Sequence, residues 1–262
     1  MTPSLFYCTQ QCLFCWRAQN GDLQVAWDEM KLPSWDPAET IFQGSLKAQQ
    51  AILSGYNGNL KTDWKKFREA LTPRHIAISL TGEPTLYEPL GELIDMFHAK
   101  GFTTFLVTNG TRPSKLAQLS VEPTQLYVSV CAPNEEVFSR VCRPQMHGAW
   151  TKLNETLEFL PSFRCPTVIR MTLVRGLNME NVDEYARLVE KADPTYVEVK
   201  AYMHIGFSNL RLGFERMPGH NEVYDFARRL AVKTGYKILD ESAESRVVLL
   251  SKRKSPIRFG SG

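Results

Sequence analysis

Cys8, Cys12 and Cys15 stand close together in the run Cys8-Thr9-Gln10-Gln11-Cys12-Leu13-Phe14-Cys15-Trp16. Packing alone gives no reason for three thiols on so short and flexible a stretch. Soft thiolates select iron, copper or zinc, and short cysteine spacings are how chains hold iron–sulfur clusters. Three ligands are one short of the four that a closed zinc or iron site takes, so a four-iron cluster here would leave one iron open to a small molecule. A structural zinc ion completed by a distant ligand such as His75 is the competing reading. A disulfide framework fits less well. The three form an odd set, and Cys131, Cys142 and Cys165 lie scattered through a chain too long to need stapling, where they read as buried small hydrophobes.

Other candidate residues sit where apolar runs end. In Ser79-Leu80-Thr81-Gly82-Glu83-Pro84, Gly82 permits a close backbone approach and Pro84 fixes the exit. That suits a ligand-facing edge or a plain strand-to-helix turn. Thr108-Asn109-Gly110 is a strong turn signal, and Asn109 also offers both a donor and an acceptor to a ribose or carboxylate. Ser129 falls on the face opposite Val128 and Val130. In Val168–Leu173, Arg170 and Thr172 share one face while Ile169, Met171 and Leu173 share the other; so apolar a strand should give its arginine a partner or a cavity. Period two puts Tyr196, Glu198, Lys200 and Tyr202 on one face, against Val197 and Val199. An edge strand with a wet face explains the pattern. At a barrel mouth, the same residues would set a carboxylate and an amine against substrate, the amine holding a carboxylate anion or, if desolvated, attacking a carbonyl. Arg140, Arg143 and His147 lie in a stretch with Pro144 that reads as a polar loop or an anion-binding rim. Lys252-Arg253-Lys254 and Arg258 make a basic tail, solvated or in contact with phosphates.

The elements that must position these residues alternate. Strands are expected at Ile76–Leu80, Thr103–Thr108, Leu126–Val130, Val168–Leu173, Tyr196–Lys200 and Arg246–Leu250. Helices are expected at Pro37–Ser54 (capped from Asp36 and Glu39), Asp63–Ala70, Tyr87–Lys100, Arg112–Leu119, Ala149–Leu160, Asn181–Lys191 and His220–Lys233. Such repetition predicts parallel strands with crossover helices, an α/β partial barrel of five or six units whose chemistry gathers at the carboxyl ends of the strands. The expected organisation is one domain over 1–251 with a helical insertion at about 21–72, then a basic tail over 252–262. Met1 to Tyr7 reads as a strand end or its exit loop, which implies chain upstream of Met1. The closing Gly260-Ser261-Gly262 is expected to pack against nothing.

Composition is that of an ordinary folded protein: 262 residues, 43% hydrophobic and 23% charged. Its 31 Lys and Arg against 28 Asp and Glu give a formal +3, which permits a polyanionic partner without requiring one. No run of apolar residues is long enough to span a membrane, and cysteines stand where a secretory leader would need an apolar stretch. A reducing, cytoplasmic location is expected.

Cys-x3-Cys-x2-Cys with Phe14 before the third cysteine resembles the signature of radical S-adenosylmethionine (SAM) enzymes. More narrowly, Met1-Thr2-Pro3-Ser4-Leu5 and Cys12-Leu13-Phe14-Cys15-Trp16-Arg17 are similar to the archaeal and eukaryotic tRNA 4-demethylwyosine synthases, over nearly the whole chain. The resemblance implies the partial (β/α)6 TIM-like barrel of radical SAM enzymes. It implies that Cys8, Cys12 and Cys15 hold a [4Fe–4S] cluster whose fourth iron takes the methionine end of S-adenosyl-L-methionine, yielding a 5′-deoxyadenosyl radical on reduction. Gly82 and Glu83 would match the motif that receives the methionine amino group, although Glu83 could chiefly fix its loop. Asn109, Ser129, Thr172 and Val174 would lie along the rest of the cofactor. Glu198 and Lys200 remain the catalytic candidates on the barrel-mouth reading of their strand, not on the resemblance. Tyr202, His204 and Ser208 would lie beside the substrate nucleotide, with Arg143, Lys252, Arg253 and Lys254 on the RNA.

The implied reaction joins carbons 2 and 3 of pyruvate to N1-methylguanosine-37 of tRNA-Phe, with an external electron donor and no membrane. The resemblance also implies a second [4Fe–4S] cluster on three upstream cysteines and an upstream lysine that engages pyruvate, positions this chain does not contain. The alternatives are another radical SAM enzyme, an activase or small-molecule synthase, and a zinc-stabilised RNA-binding protein.

Overall fold

Alternation along a strand decides which side chains meet the helices and which face inward, so the site begins in the sheet. The computed structural model describes residues 1–259; Gly260-Ser261-Gly262 lie outside them. Helices α1 (Ala38–Ser54) and α2 (Trp64–Ala70) precede β1 (His75–Ile78). Next come α3 (Leu90–Ala99), β2 (Thr103–Thr108), α4 (Pro113–Ala117), β3 (Gln125–Ser129), α5 (Glu135–Cys142) and α6 (Ala149–Phe159). The chain continues through β4 (Thr167–Leu173), α7 (Val182–Ala192), β5 (Tyr196–Ala201), α8 (His220–Thr234), β6 (Lys237–Ser242) and β7 (Val247–Ser251). The sheet order is β1-β2-β3-β4-β5-β7-β6; β1 through β5 are parallel, and β7 and β6 add an antiparallel edge.

The two faces of this sheet differ sharply. Ile78, Leu106, Val128, Ile169, Met171, Val197 and Val199 point at the helices and are completely or almost completely buried. Ser129, Arg170, Thr172, Glu198 and Lys200 alternate with them and stay half-buried on the inner face. Helix α1 joins the same core: Phe42 sets its ring edge-on to Phe97 and Phe102, at centroid distances of 5.0 and 6.4 Å. Its start departs from the expected cap. Pro37 is the N-cap residue and no side chain caps it, while the Asp36 carbonyl accepts from the Tyr87 hydroxyl at 2.8 Å.

Three differences from the expected elements bear on function. The strand expected as a sixth parallel unit, β7, pairs antiparallel with β5, because the unexpected β6 turns into it through a tight hairpin. Its mixed, charged sequence Lys237-Ile238-Leu239-Asp240-Glu241-Ser242 suits an outer edge strand and lacks a clean period of two. The stretch expected to be a loop with Arg140 and Arg143 contains α5, capped by the Asn134 side chain on the Val137 N–H at 3.0 Å and closed by Arg143 in a left-handed conformation. Third, an antiparallel β7 delivers the basic tail to the amino ends of the parallel strands. There Lys252 pairs with Asp193 at 2.6 Å, the Ile257 N–H donates to the Tyr196 hydroxyl at 2.8 Å, and Phe259 meets Phe105 edge-on at 5.6 Å.

Before β1, the Met1 amino group donates to the Ala77 carbonyl at 2.8 Å and the Met1 carbonyl accepts from the Ser79 N–H at 2.9 Å. That is the bonding of a parallel neighbour, in line with the reading of this segment as a strand end running into its exit loop.

At the rim of the sheet, Arg175 binds Glu222 in a fork (Nε to Oε1 2.8 Å), and Glu222 also accepts from the Gly219 N–H at 2.8 Å at the start of α8. The guanidinium holds this carboxyl down at about 2, against its ordinary 4.5. A depressed carboxylate contributes stability that is complete above the unfolded value and is lost as pH falls through the folded one. Glu222→Gln should therefore shrink the loss of urea stability between pH 4.5 and about 2, modestly because the pair is partly exposed. Urea midpoints measured across that range test this.

Candidate functional site

The cysteine loop has little regular structure of its own, so side chains from elsewhere hold it. Arg17 is buried; its guanidinium donates to the carbonyls of Phe6 (3.1 Å), Gln10 (2.8 Å) and Ala18 (3.0 Å) and pairs with the buried Glu29. Arg211, from the segment after β5, donates to the carbonyls of Leu13, Cys15 and Arg17 and pairs with Asp22. Gly206, in that same segment, comes so close that a Cβ would lie 2.5 Å from the Trp16 carbonyl; only glycine fits there. The loop is thus fastened from both sides through its backbone, which leaves the thiols to face inward.

Cys8, Cys12 and Cys15 line one cavity of about 370 Å³ at the carboxyl ends of the parallel strands. Gly82 and Glu83 follow β1, Asn109 follows β2, Ser129 ends β3, Thr172 lies on β4, and Lys200 and Tyr202 lie on and just after β5; all border the same space. Burial pushes the Cys8 and Cys15 thiols up. Cys12 is raised by its hydrogen bond with Cys142 and by burial.

Gly82 has φ +73° and no room for a side chain, since a Cβ would sit 2.7 to 2.9 Å from Ser4 Oγ and the carbonyls of Tyr7 and Leu5. Its turn is therefore pressed onto the chain entering the cysteine loop. Glu83 is buried and accepts from the Thr85 N–H (3.1 Å) and hydroxyl (2.7 Å), the Thr108 hydroxyl (2.6 Å) and the Asn109 N–H (2.8 Å). Both its oxygens are occupied, so Glu83 locks the loops after β1 and β2 together. Burial raises its pKa against those bonds. Glu83→Gln turns an amide N–H toward one of these donors, at a cost of about 1–3 kcal/mol. The thermal midpoint should fall by about 2–4 °C for each kcal/mol, which differential scanning calorimetry measures.

Asn109 donates through Nδ2 to Thr9 Oγ1 (2.9 Å) and to Cys8 Sγ (3.6 Å), while its Oδ1 accepts from Thr111. It serves the cysteine loop first. On the inner wall, Arg170 pairs with Glu198 (2.7 Å) and stacks over the Tyr127 ring (4.5 Å). Glu198 lies behind the cavity wall, committed to that arginine, and does not border the space with Lys200. Among the described residues Lys200 makes no ion pair, and burial and the Arg170 cation lower its pKa.

Several expected residues lie elsewhere. Val174 is fully buried in a small cluster with Tyr202 and Leu212, off the cavity, because the chain has already turned away from β4. Ser208 is buried and donates to the Ile205 carbonyl at 2.6 Å; the Tyr202 hydroxyl lies 3.1 Å from both Ser208 Oγ and His204 Nδ1. These three side chains brace the segment after β5 from within. Arg143 is exposed beside the cysteine loop, its carbonyl accepting from the Gln11 N–H at 3.1 Å. Lys252, Arg253 and Lys254 are exposed at the opposite end of the strands from the cavity. Arg17 and Arg211 went unassigned at the sequence level. A lone arginine after a cysteine run carries a weak signal, and Arg211 lies far from that run in sequence.

The donor set suits an iron–sulfur cube. Three loop thiols border one cavity, with an amide N–H at one sulfur, and the buried Arg17 and half-buried Arg211 stand behind the loop. Soft thiolates bordering one cavity are the ligands that such a cluster takes.

Comparison with known proteins gives the same picture. The radical SAM superfamily model matches residues 3–189, and the wyosine base formation model matches residues 191–252. The chain is 46% identical over 256 residues to the S-adenosyl-L-methionine-dependent tRNA 4-demethylwyosine synthase of Pyrococcus abyssi, covering 96% of this chain and 74% of that protein. It is 40% identical over 257 residues to the synthase of the same name from Methanocaldococcus jannaschii, covering 98% and 81%. A solved structure described as "Structure of TYW1 with a lysine-pyruvate adduct bound" superposes with a TM-score of 0.84 at 40% identity, covering 95% of this chain and 78% of that one.

Proposed function

Because the chain belongs to the radical SAM superfamily and, within it, to the tRNA 4-demethylwyosine synthases, we propose that it joins carbons 2 and 3 of pyruvate to N1-methylguanosine-37 of tRNA-Phe, releasing the carboxyl carbon. The observation that carries this reading is the convergence of Cys8, Cys12 and Cys15 with the Lys200 amine on one cavity. Its cofactors are a [4Fe–4S] cluster and S-adenosyl-L-methionine. When bound, they supply the radical chemistry that takes hydrogen from an N-methyl group too weakly acidic for any side-chain base.

The chain's own residues bind, orient and exclude. Cys8, Cys12 and Cys15 would hold the cluster, and the Asn109 amide steadies Cys8. The Gly82–Glu83 turn presents backbone to the cofactor's amino acid, and the Ser129 and Thr172 hydroxyls stand along the cavity for its ribose and adenine side. Arg170 and Lys200 bring two positive charges to one carboxylate, Glu198, so the inner wall keeps a net positive charge that draws a carboxylate ligand. Around the mouth Trp16, Leu80, Met203 and Ile205 expose apolar surface that sheds water and receives an unstacked base. Arg143, exposed beside the mouth, contacts the RNA backbone. No helix among the described residues is long and apolar enough to cross a membrane, and a tRNA substrate fits a cytoplasmic enzyme.

Isotope tracing tests the reading. The protein is reconstituted anaerobically with iron and sulfide, supplied with a chemical electron donor, and given tRNA-Phe carrying N1-methylguanosine-37. Label from carbons 2 and 3 of pyruvate should enter the tRNA base and label from carbon 1 should not. Reductive cleavage of the sulfonium cofactor with no label in tRNA would point to a different radical SAM reaction.

A further inference from the structure

Residues 9–13 run antiparallel past the last turn of α5 and the residues that follow it, 141–145. The Gln11 N–H donates to the Arg143 carbonyl (3.1 Å), the Gln145 N–H to the Thr9 carbonyl (2.9 Å) and the Leu13 N–H to the Val141 carbonyl (2.9 Å), with Gln10 bridged to Pro144. Two residues further on, this register sets Cys12 directly opposite Cys142. The flanking bonds draw the two backbones together on both sides of this pair, the close approach that a disulfide, with Cα atoms about 4.4–6.8 Å apart, requires. Each thiol perturbs the acidity of the other and both border the same cavity, which gives small molecules a way in, while Cys12 Sγ donates to Gln10 Oε1 at 3.2 Å. Cys142 otherwise ends α5 as a free, buried thiol.

We propose that Cys142 is the redox partner of Cys12: in the iron-free protein a hydroperoxide joins them in a Cys12–Cys142 disulfide, which withholds Cys12 from the cluster until a thiol reductant restores it. The two thiols give up two protons and two electrons to form one S–S bond, and hydrogen peroxide takes up both and leaves as two waters. A dithiol reverses the step by exchange, ending as its own disulfide. The link also keeps Cys12 from the irreversible sulfinic state. Register selects Cys142 over the other thiols. Cys15 is tied to Cys12 through a backbone turn (N–H to carbonyl 3.1 Å), and Cys8 has Asn109 on its sulfur. The consequence for cluster loading rests on Cys12 being a cluster ligand; the disulfide itself does not.

The test uses the full chain freed of iron by chelation, titrated with hydrogen peroxide, alkylated, and mapped by non-reducing peptide mass spectrometry. Cys12–Cys142 should be the main link. The oxidised protein should take up no cluster on anaerobic reconstitution until treated with dithiothreitol, which should restore full uptake. Cys142→Ser, reconstituted anaerobically, should load iron as the parent does, yet lose after peroxide the recovery that dithiothreitol gives the parent. A dominant Cys12–Cys15 or Cys8–Cys12 link, or a Cys142 that stays fully alkylatable, overturns the proposal. Iron uptake by untreated protein reads the cluster assignment separately, so failure of either is distinguishable.

Discussion

Cys15→Ala should leave a folded protein that has lost the iron–sulfur chromophore, reductive cleavage of S-adenosylmethionine and all 4-demethylwyosine formation. The fold survives because the loop is held through its backbone. Arg211 grips the Leu13, Cys15 and Arg17 carbonyls and Arg17 grips those of Phe6, Gln10 and Ala18, none of which needs the thiol. Cys15 is only partly buried, so its truncation opens no core cavity. Cluster binding loses a ligand that the loop cannot replace: Cys131 and Cys142 also border the cavity, but from just after β3 and from the end of α5, where packed backbone holds them. Iron and sulfide content, the visible absorbance of the reconstituted protein and circular dichroism separate a lost cluster from a lost fold. A variant that kept full iron content and cofactor cleavage would remove Cys15 from the ligand set. Arg211→Met, by contrast, should keep all three ligands and bind the cluster less tightly, because the loop then pays a larger ordering cost on loading.

The parts of this site legible in sequence are those in which local chemistry and function coincide. Three thiols on a short run have few structural uses, and Arg170 and Thr172 alternate cleanly with apolar neighbours, so both features survive the passage to three dimensions. Glu83 was readable as a motif residue but not as a four-donor lock, since Thr108 and Asn109 reach it only after β1 and β2 pair. The α5 helix hid because Pro133 and Pro144 frame it like a loop, although Asn134 with Glu135 and Glu136 was an available start signal. The basic tail misled for a topological reason. Whether Lys252, Arg253 and Lys254 lie near the cavity depends on the direction of β7, and the apolar run Val247-Val248-Leu249-Leu250 reads equally well either way. Arg211 acts on a loop almost two hundred positions away, a relation that no local pattern encodes.

Lys200→Met should weaken binding of one carboxylate ligand by roughly 10- to 100-fold, the loss expected for one charge-assisted hydrogen bond. Lys200 stands beside Thr172 in the register of β4 and β5, and the nearest carboxylate on its own strand, Glu198, is already taken by Arg170. The amine therefore faces the cavity without an ion pair among the described residues, and burial together with Arg170 lowers its pKa against the pull of Glu198. A bound carboxylate relieves both penalties at once, which makes ligand binding the state in which this wall is electrostatically satisfied. Two ligands of the reaction carry one, the methionine end of the cofactor and pyruvate, and kinetics tell them apart. If Lys200 holds the cofactor, the substitution raises KM for S-adenosylmethionine and slows its cleavage even without tRNA. If it holds pyruvate, cofactor cleavage stays intact while KM for pyruvate rises. The sign of the pH dependence is fixed as well. Binding is complete while the amine is protonated and fails as pH rises through its lowered pKa, so the alkaline limb should sit below the ordinary lysine value of 10.5. Lys200→Arg should move that limb upward and Lys200→Met should abolish it. A Met variant with both KM values and the alkaline limb unchanged would take Lys200 out of the site.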